Sequence, residues 1–171
     1  MKKPLTVNLG YPTIEDIKED KKTAFLLAGA YSGAHGELSA ILQYFYHYLH
    51  FKRLNDDATS EVIMSIALAE MHHLEILGSL IMRLGLDPVF CTASTFCAEY
   101  YSAKNIRYSK DAKKMLIDDV TAESAAIKEY EQLLEIIEDE TVGAVISRII
   151  LDEELHAKAL KECFDRYNQY G

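Results

Sequence analysis

Proline and cysteine are scarce in this chain, with three of each among 171 residues. Few prolines leave room for long helices, because an internal proline removes a backbone hydrogen bond and clashes with the preceding turn. The cysteines, Cys91, Cys97 and Cys163, are odd in number and form no C-x-x-C pair. That pattern excludes a disulfide framework and a rubredoxin-type or zinc-ribbon site. They are expected as free thiols in a reducing compartment, each a small buried hydrophobe; no redox role is assigned to any of them. No stretch approaches the roughly 20 apolar residues that span a bilayer, and the start, residues 1–12, lacks the apolar run of a signal peptide. A soluble, cytoplasmic protein with no membrane partner is expected. The net charge of -9 leaves no clustered Lys and Arg to meet phosphates, which argues against nucleic acid as a partner. A solvated acidic surface accounts for that charge.

The hydrophobic fraction of 49% is enough for a full core, and the length suits a single domain over 1–171. Residues 1–12 read as an extended arm punctuated by Pro4 and Pro12. Thr13, with Asp16 three residues on, resembles a capping box with a shorter acid. From there to about Arg53 the pattern is helical, with a break allowed near its start. Phe25, Leu26, Ala30, Leu38, Ile41, Leu42, Phe45 and Leu49 recur at helical spacing. Gly29, Gly33 and Gly36 interrupt this stretch. Each costs about 1 kcal/mol relative to Ala in a helix, so the cluster predicts a bend or a close approach of neighbouring backbone. Asn55-Asp56-Asp57 is a turn, followed by a helix over 59–84 that Gly85 caps and Pro88 stops. Residues 86–108 have no period and are expected to cross from one end of the molecule to the other. Ser109 is the expected cap of a third helix over 110–138. After a turn at Asp139-Glu140-Thr141, a fourth helix runs to about Tyr167. No strand alternation appears. The fold class is all-α: a four-helix bundle over about 20–167 with one long crossover between helices 2 and 3.

Two short motifs carry chemistry. Glu70 and His73 form one E-x-x-H, and Glu153 and His156 form another. Residues three apart on a helix share a face and can converge on one point. Both motifs sit within apolar stripes: Ile63, Ile66 and Ala67 precede the first, and Leu74, Leu77 and Ile81 follow it. Ile146, Ile149 and Ile150 precede the second, and Ala157, Leu160 and Phe164 follow it. A carboxylate there faces the core, where an unpaired ion is very costly. The other two helices each add one inward carboxylate, Glu37 and Glu123. The halves repeat: Tyr44 and Tyr130 lie seven residues after Glu37 and Glu123, and the E-x-x-H follows 33 residues after Glu37 and 30 after Glu123. Two divalent ions would neutralise the four carboxylates. His47, His50 and His72 have no such partners and read as structural or surface groups; His72 lies about 100° around the helix from His73. His35, two residues before Glu37, is expected to point elsewhere or to stand behind the ligands.

One Glu from each of two helices plus an E-x-x-H from each of the other two is the ligand set of ferritin-like di-iron and di-manganese proteins. The sequence resembles that superfamily along about 20–167. The runs Gly36-Glu37-Leu38 with Gln43-Tyr44, and Glu70 through Gly78, look most like its rubrerythrin and manganese-catalase branch. Ala126 stands where rubrerythrins usually carry a further Glu. The resemblance implies a ferritin-like bundle binding two Fe or Mn ions through Glu37, Glu70, His73, Glu123, Glu153 and His156, with Glu70 and Glu153 as bridges. It implies a non-haem redox protein acting on hydrogen peroxide or O2, rubrerythrin-like or manganese-catalase-like, with an external electron donor in the first case. A ferroxidase or iron-storage protein is the alternative. Tyr44 and Tyr130 are candidate catalytic residues, as hydrogen-bond donors to the ligands or as electron donors. A homo-oligomer is expected, with a dimer favoured.

Overall fold

The computed structural model describes residues 3–91 and 99–169. Its helices are α1 (Lys21–Ser32), α2 (Glu37–Arg53), α3 (Asp57–Arg83), α4 (Ala112–Ile136) and α5 (Glu140–Gln169). The crossover holds one 3-10 turn, Ala103–Asn105. The described residues contain no strand, only an isolated bridge between Cys91 and Tyr100. Helices α1 and α2 follow one another along α3 and together stand where a single first helix was predicted. The all-α four-helix bundle with one crossover is therefore observed.

Helix starts follow side-chain caps. The expected start at Thr13 is incorrect, because residues 13–20 are not helical. Asp20 is the cap instead, accepting from the backbone N–H of Lys22 and Thr23. Ile14 and Ile17 pack on the core from an irregular segment. Ser109 likewise yields to Asp111, which accepts from Lys114 N–H and starts α4. Gly85 (φ 94°) ends α3 in the left-handed region, as the sequence required.

The glycine cluster breaks the first helix. Gly33 N–H donates back to the Gly29 carbonyl at 2.7 Å, and Gly36 N–H to the Gly33 carbonyl at 3.2 Å. A Cβ at Gly36 would collide with the carbonyl oxygens of Gly29 and Ala30. The break starts α2 at Glu37, so that carboxylate stands in the first turn of a helix.

Two apolar clusters divide the core. One joins Leu27 of α1 to Leu77 and Leu80 of α3, Leu133 of α4 and Ile146 of α5. The other joins Phe51 of α2 to Ile63 and Ile66 of α3, Met115 of α4 and Leu160 of α5. The E-x-x-H residues fall between these clusters along both α3 and α5. Burying such side chains is worth roughly 1.5–3 kcal/mol each, which holds the polar middle of the bundle closed from both ends.

The crossover is pinned at Arg107. Its N–H donates to Gln43 Oε1 and its carbonyl accepts from His47 Nε2, both at 3.0 Å. Asp119 takes His47 Nδ1 at 2.7 Å and Gln43 Nε2 at 2.9 Å. His47 is thus a buried structural group, and His72 is exposed, as expected. The expectation of three free thiols fails at Cys91, which is disulfide-bonded; an odd count does not exclude a single pair. Cys163 is free and buried, and Cys97 lies outside the described residues. No helix among the described residues is long and apolar enough to cross a membrane.

Replacing Gly36 with Ala is expected to destabilise the chain by about 1–3 kcal/mol, because two carbonyls must give way. Thermal unfolding checks this; at this length each kcal/mol lowers Tm by roughly 2–4 °C, and an unchanged Tm contradicts it.

Candidate metal centre

All six predicted side chains are buried and converge between the core clusters. His73 Nδ1 lies 2.9 Å from Glu70 Oε2, 3.0 Å from Glu153 Oε1 and 3.7 Å from Glu37 Oε2. His156 Nδ1 lies 3.0 Å from Glu70 Oε1, 3.7 Å from Glu153 Oε2 and 3.8 Å from Glu123 Oε2. Two sets of potential ligands result: Glu37, Glu70, His73 and Glu153, and Glu70, Glu123, Glu153 and His156. Within each, the ligand atoms all lie within 4.8 Å of one another. Glu70 and Glu153 belong to both sets. Each turns one carboxylate oxygen toward His73 and the other toward His156, which is the geometry of a bridge.

The tyrosines cross between the halves. Tyr44 of α2 donates its hydroxyl hydrogen to Glu123 Oε1 of α4 at 2.5 Å, and Tyr130 of α4 donates to Glu37 Oε1 of α2. Each single Glu is thereby held by the Tyr of the opposite helix pair. Burial, and then the neighbouring carboxylates, push both phenols well above their usual range. They are neutral donors.

The outer nitrogens of the histidines are also engaged. His156 Nε2 donates to the Leu5 carbonyl at 2.7 Å. His73 Nε2 lies 3.2 Å from Asp152 Oδ2 and 3.0 Å from the Tyr11 hydroxyl. Burial raises the Asp152 carboxyl, but hydrogen bonds from His73, Tyr11, the Val7 N–H and Arg148 outweigh it and hold the group well below the usual carboxylate range. Burial beside Asp152 pushes the Tyr11 phenol up to about 12. Leu5, Tyr11, Arg148 and Asp152 were not among the residues singled out in the sequence. Asp152 beside Glu153, and Arg148 amid Ile146 and Ile149, were the available signals.

The donor set fits metal ions. Glu70 Oε1, Glu153 Oε1 and His156 Nδ1 are buried and make no hydrogen bond; the first and last lie 3.0 Å apart. Such atoms need a shared cation or protons. With protons alone, burial and then repulsion from Glu70 and Glu153 raise Glu37 and Glu123 well above the usual range. Burial opposes charge on the imidazoles, yet the carboxylates around them raise His73 and His156 well above theirs. Carboxylate and imidazole donors in this number suit Fe(II) or Mn(II).

A cavity of about 320 Å³ lies between α2 and α4. Buried Glu37, Glu123 and Glu153 line it, as do exposed His35, Lys104 and Arg107. Ala126 also lines it. The small side chain there leaves open the space that a longer acid would occupy.

Fold and site together define a helical bundle with two adjoining buried carboxylate–imidazole clusters, each of which could hold a metal ion. The chain belongs to the ferritin-like domain family, whose model matches residues 34–169. It is 25% identical to a probable manganese catalase of Clostridium acetobutylicum, over 90% of this chain and 75% of that protein. Its fold is similar to that of KatB, a manganese catalase from Anabaena PCC7120, with a TM-score of 0.80 and 24% identity over 98% of this chain and 80% of the other. It is also similar in fold to Rhodobacter capsulatus bacterioferritin, with a TM-score of 0.74 and 21% identity over 91% of both chains.

Metal uptake should release protons. With Glu37, Glu123, His73 and His156 each raised in the metal-free chain, binding a pair of divalent ions is expected to release protons, because the ligands must give them up. Affinity should therefore rise with pH. Titration of metal-free protein in weak buffer measures the release; a value near zero contradicts the electrostatic picture.

Proposed function

We propose that this chain is a dinuclear Fe or Mn redox protein acting on hydrogen peroxide or O2, with manganese-catalase-like turnover of peroxide as the first reading. Glu37 and His73 would hold one ion, Glu123 and His156 the other, and Glu70 and Glu153 both. The observation that carries this is the pair of acids that divide their oxygens between the two histidines. Resemblance to manganese catalases along most of the chain favours peroxide. Bound there, a pair of ions each changing by one electron supplies the two electrons that cleaving an O–O bond requires.

The chain's own residues do the rest. The cavity between α2 and α4 gives a small oxidant a way to the carboxylate side of the centre. Tyr44 and Tyr130 keep Glu123 and Glu37 oriented while the substrate binds. The two apolar clusters exclude bulk water from either end. With no C-x-x-C site of its own, a peroxidase of this type would take electrons from an external donor, whereas disproportionation of peroxide needs none.

Iron oxidation is the second reading, favoured by the likeness to bacterioferritin over nine-tenths of both chains. A homo-oligomer goes with either. Leu42, Phe45 and Leu49 leave an apolar stripe exposed on α2, a surface that a second copy would cover.

Peroxide assays and mass separate the readings. Loss of peroxide with O2 release and no reductant is expected; consumption only with added reductant indicates a peroxidase. A dimer or other small oligomer is expected, and a 24-subunit shell with uptake of many irons per chain indicates storage. By metal analysis, Glu70→Ala and Glu153→Ala are each expected to lose both ions, and Glu123→Ala to keep the one beside His73. Full retention of both ions in a bridge variant contradicts the ligand assignment.

A further inference from the structure

We propose that the N-terminal arm, residues 5–11, is a working part of the metal centre: it decides which ring nitrogen His73 and His156 turn toward the ions. The inference rests on the ligand set proposed above.

A carbonyl oxygen can only accept a hydrogen bond. The Leu5 carbonyl, 2.7 Å from His156 Nε2, therefore requires the hydrogen on Nε2. That leaves His156 Nδ1, which faces Glu70, Glu123 and Glu153, as the nitrogen free to take an ion. At His73 the partner is Asp152 Oδ2, backed by the Tyr11 hydroxyl. Tyr11 gives its own hydrogen to Asp152, so Nε2 of His73 also meets only acceptors. When Nδ1, which points to the ion site, ligates an ion, the imidazole's one hydrogen sits on Nε2 and is held by these acceptors. A ligating imidazole whose outer N–H is held in this way has its tautomer and ring orientation fixed.

The arm also aims Asp152. Val7 N–H donates to its Oδ1 at 2.7 Å, and Arg148 Nη1 reaches the same oxygen at 2.9 Å. Arg148 in turn donates to the Leu9 carbonyl at 2.9 Å and the Val7 carbonyl at 3.1 Å, and its guanidinium lies 4.2 Å over the Tyr11 ring. Leu5 N–H, donating to the Ser65 carbonyl at 2.9 Å, ties the beginning of the arm to α3. Leu5 and Tyr11 meet the metal-facing histidines, Val7 bonds Asp152, and Leu9 bonds Arg148, which holds Asp152 in turn. An arm that merely covered the bundle would have no reason to end its bonds there. Leu5, Val7 and Tyr11 are positioning residues, acting on the ions through His73 and His156.

The test uses the full chain labelled with 15N-histidine and loaded with Zn2+ as a diamagnetic probe. Val7→Pro removes the N–H from Asp152 without altering a metal-facing side chain, and Tyr11→Phe removes the hydroxyl while keeping the ring. The wild-type chain should show two histidines bound through Nδ1, each with a slowly exchanging Nε2–H. Both variants should lose slow exchange at His73 and bind Zn2+ about 10–100-fold more weakly by chelator competition. Wild-type affinity and exchange in both variants overturns the inference alone. Weaker binding with exchange unchanged reduces the arm to a strap and overturns it too. A wild-type chain that takes up no Zn2+, Mn2+ or Fe2+ overturns the metal-site reading and this inference with it.

Discussion

Four carboxylates and two imidazoles share one space from which water is excluded, and that concentration of charge governs the rest of the structure. Ionised groups in such a place cost several kcal/mol each unless something compensates them. Here two kinds of compensation are built in. Protons on Glu37, Glu123, His73 and His156 suit the metal-free chain. A pair of divalent ions would suit the same donors, because Glu70 and Glu153 divide their oxygens between the two histidines. The apolar clusters on either side keep the bundle folded around a centre that would not stabilise it by itself.

The inner layer is close to two-fold symmetric, while the layers around it are not. Glu37 and Glu123, the two E-x-x-H pairs, and the crossed Tyr44 and Tyr130 bonds repeat across the halves. On the histidine side the arm bonds to α3 and α5. On the carboxylate side the crossover is clamped through Arg107 to His47, Gln43 and Asp119, and a cavity remains between α2 and α4. The centre is thus covered by the arm on its histidine side, while the cavity reaches Glu37 and Glu123 on the other.

Much of this could be read in advance, for a physical reason. Helical period alone puts Glu70 and His73, or Glu153 and His156, on one face, and the surrounding Ile and Leu say that the face is inward. The repeat of Tyr seven residues after Glu likewise pointed to Tyr44 and Tyr130. What escaped depends on contacts between distant parts of the chain. Tyr11 and Asp152 are 141 residues apart, and no local pattern announces that an irregular arm will bond to a helix there. The start of the first helix was misplaced because Thr13 and Asp16 resemble a capping box, while the deciding cap, Asp20, lies further on. The glycine cluster was legible as a bend or close approach; only coordinates show that it does both, turning the chain so that α2 begins at Glu37.

The central claim is that Glu70 and Glu153 each serve two ions. Anomalous diffraction from crystals of Mn2+-loaded protein tests it most directly. Two peaks are predicted, one beside His73 Nδ1 and one beside His156 Nδ1, each within bonding distance of both bridging acids. A single peak, or peaks that share no carboxylate, would contradict it.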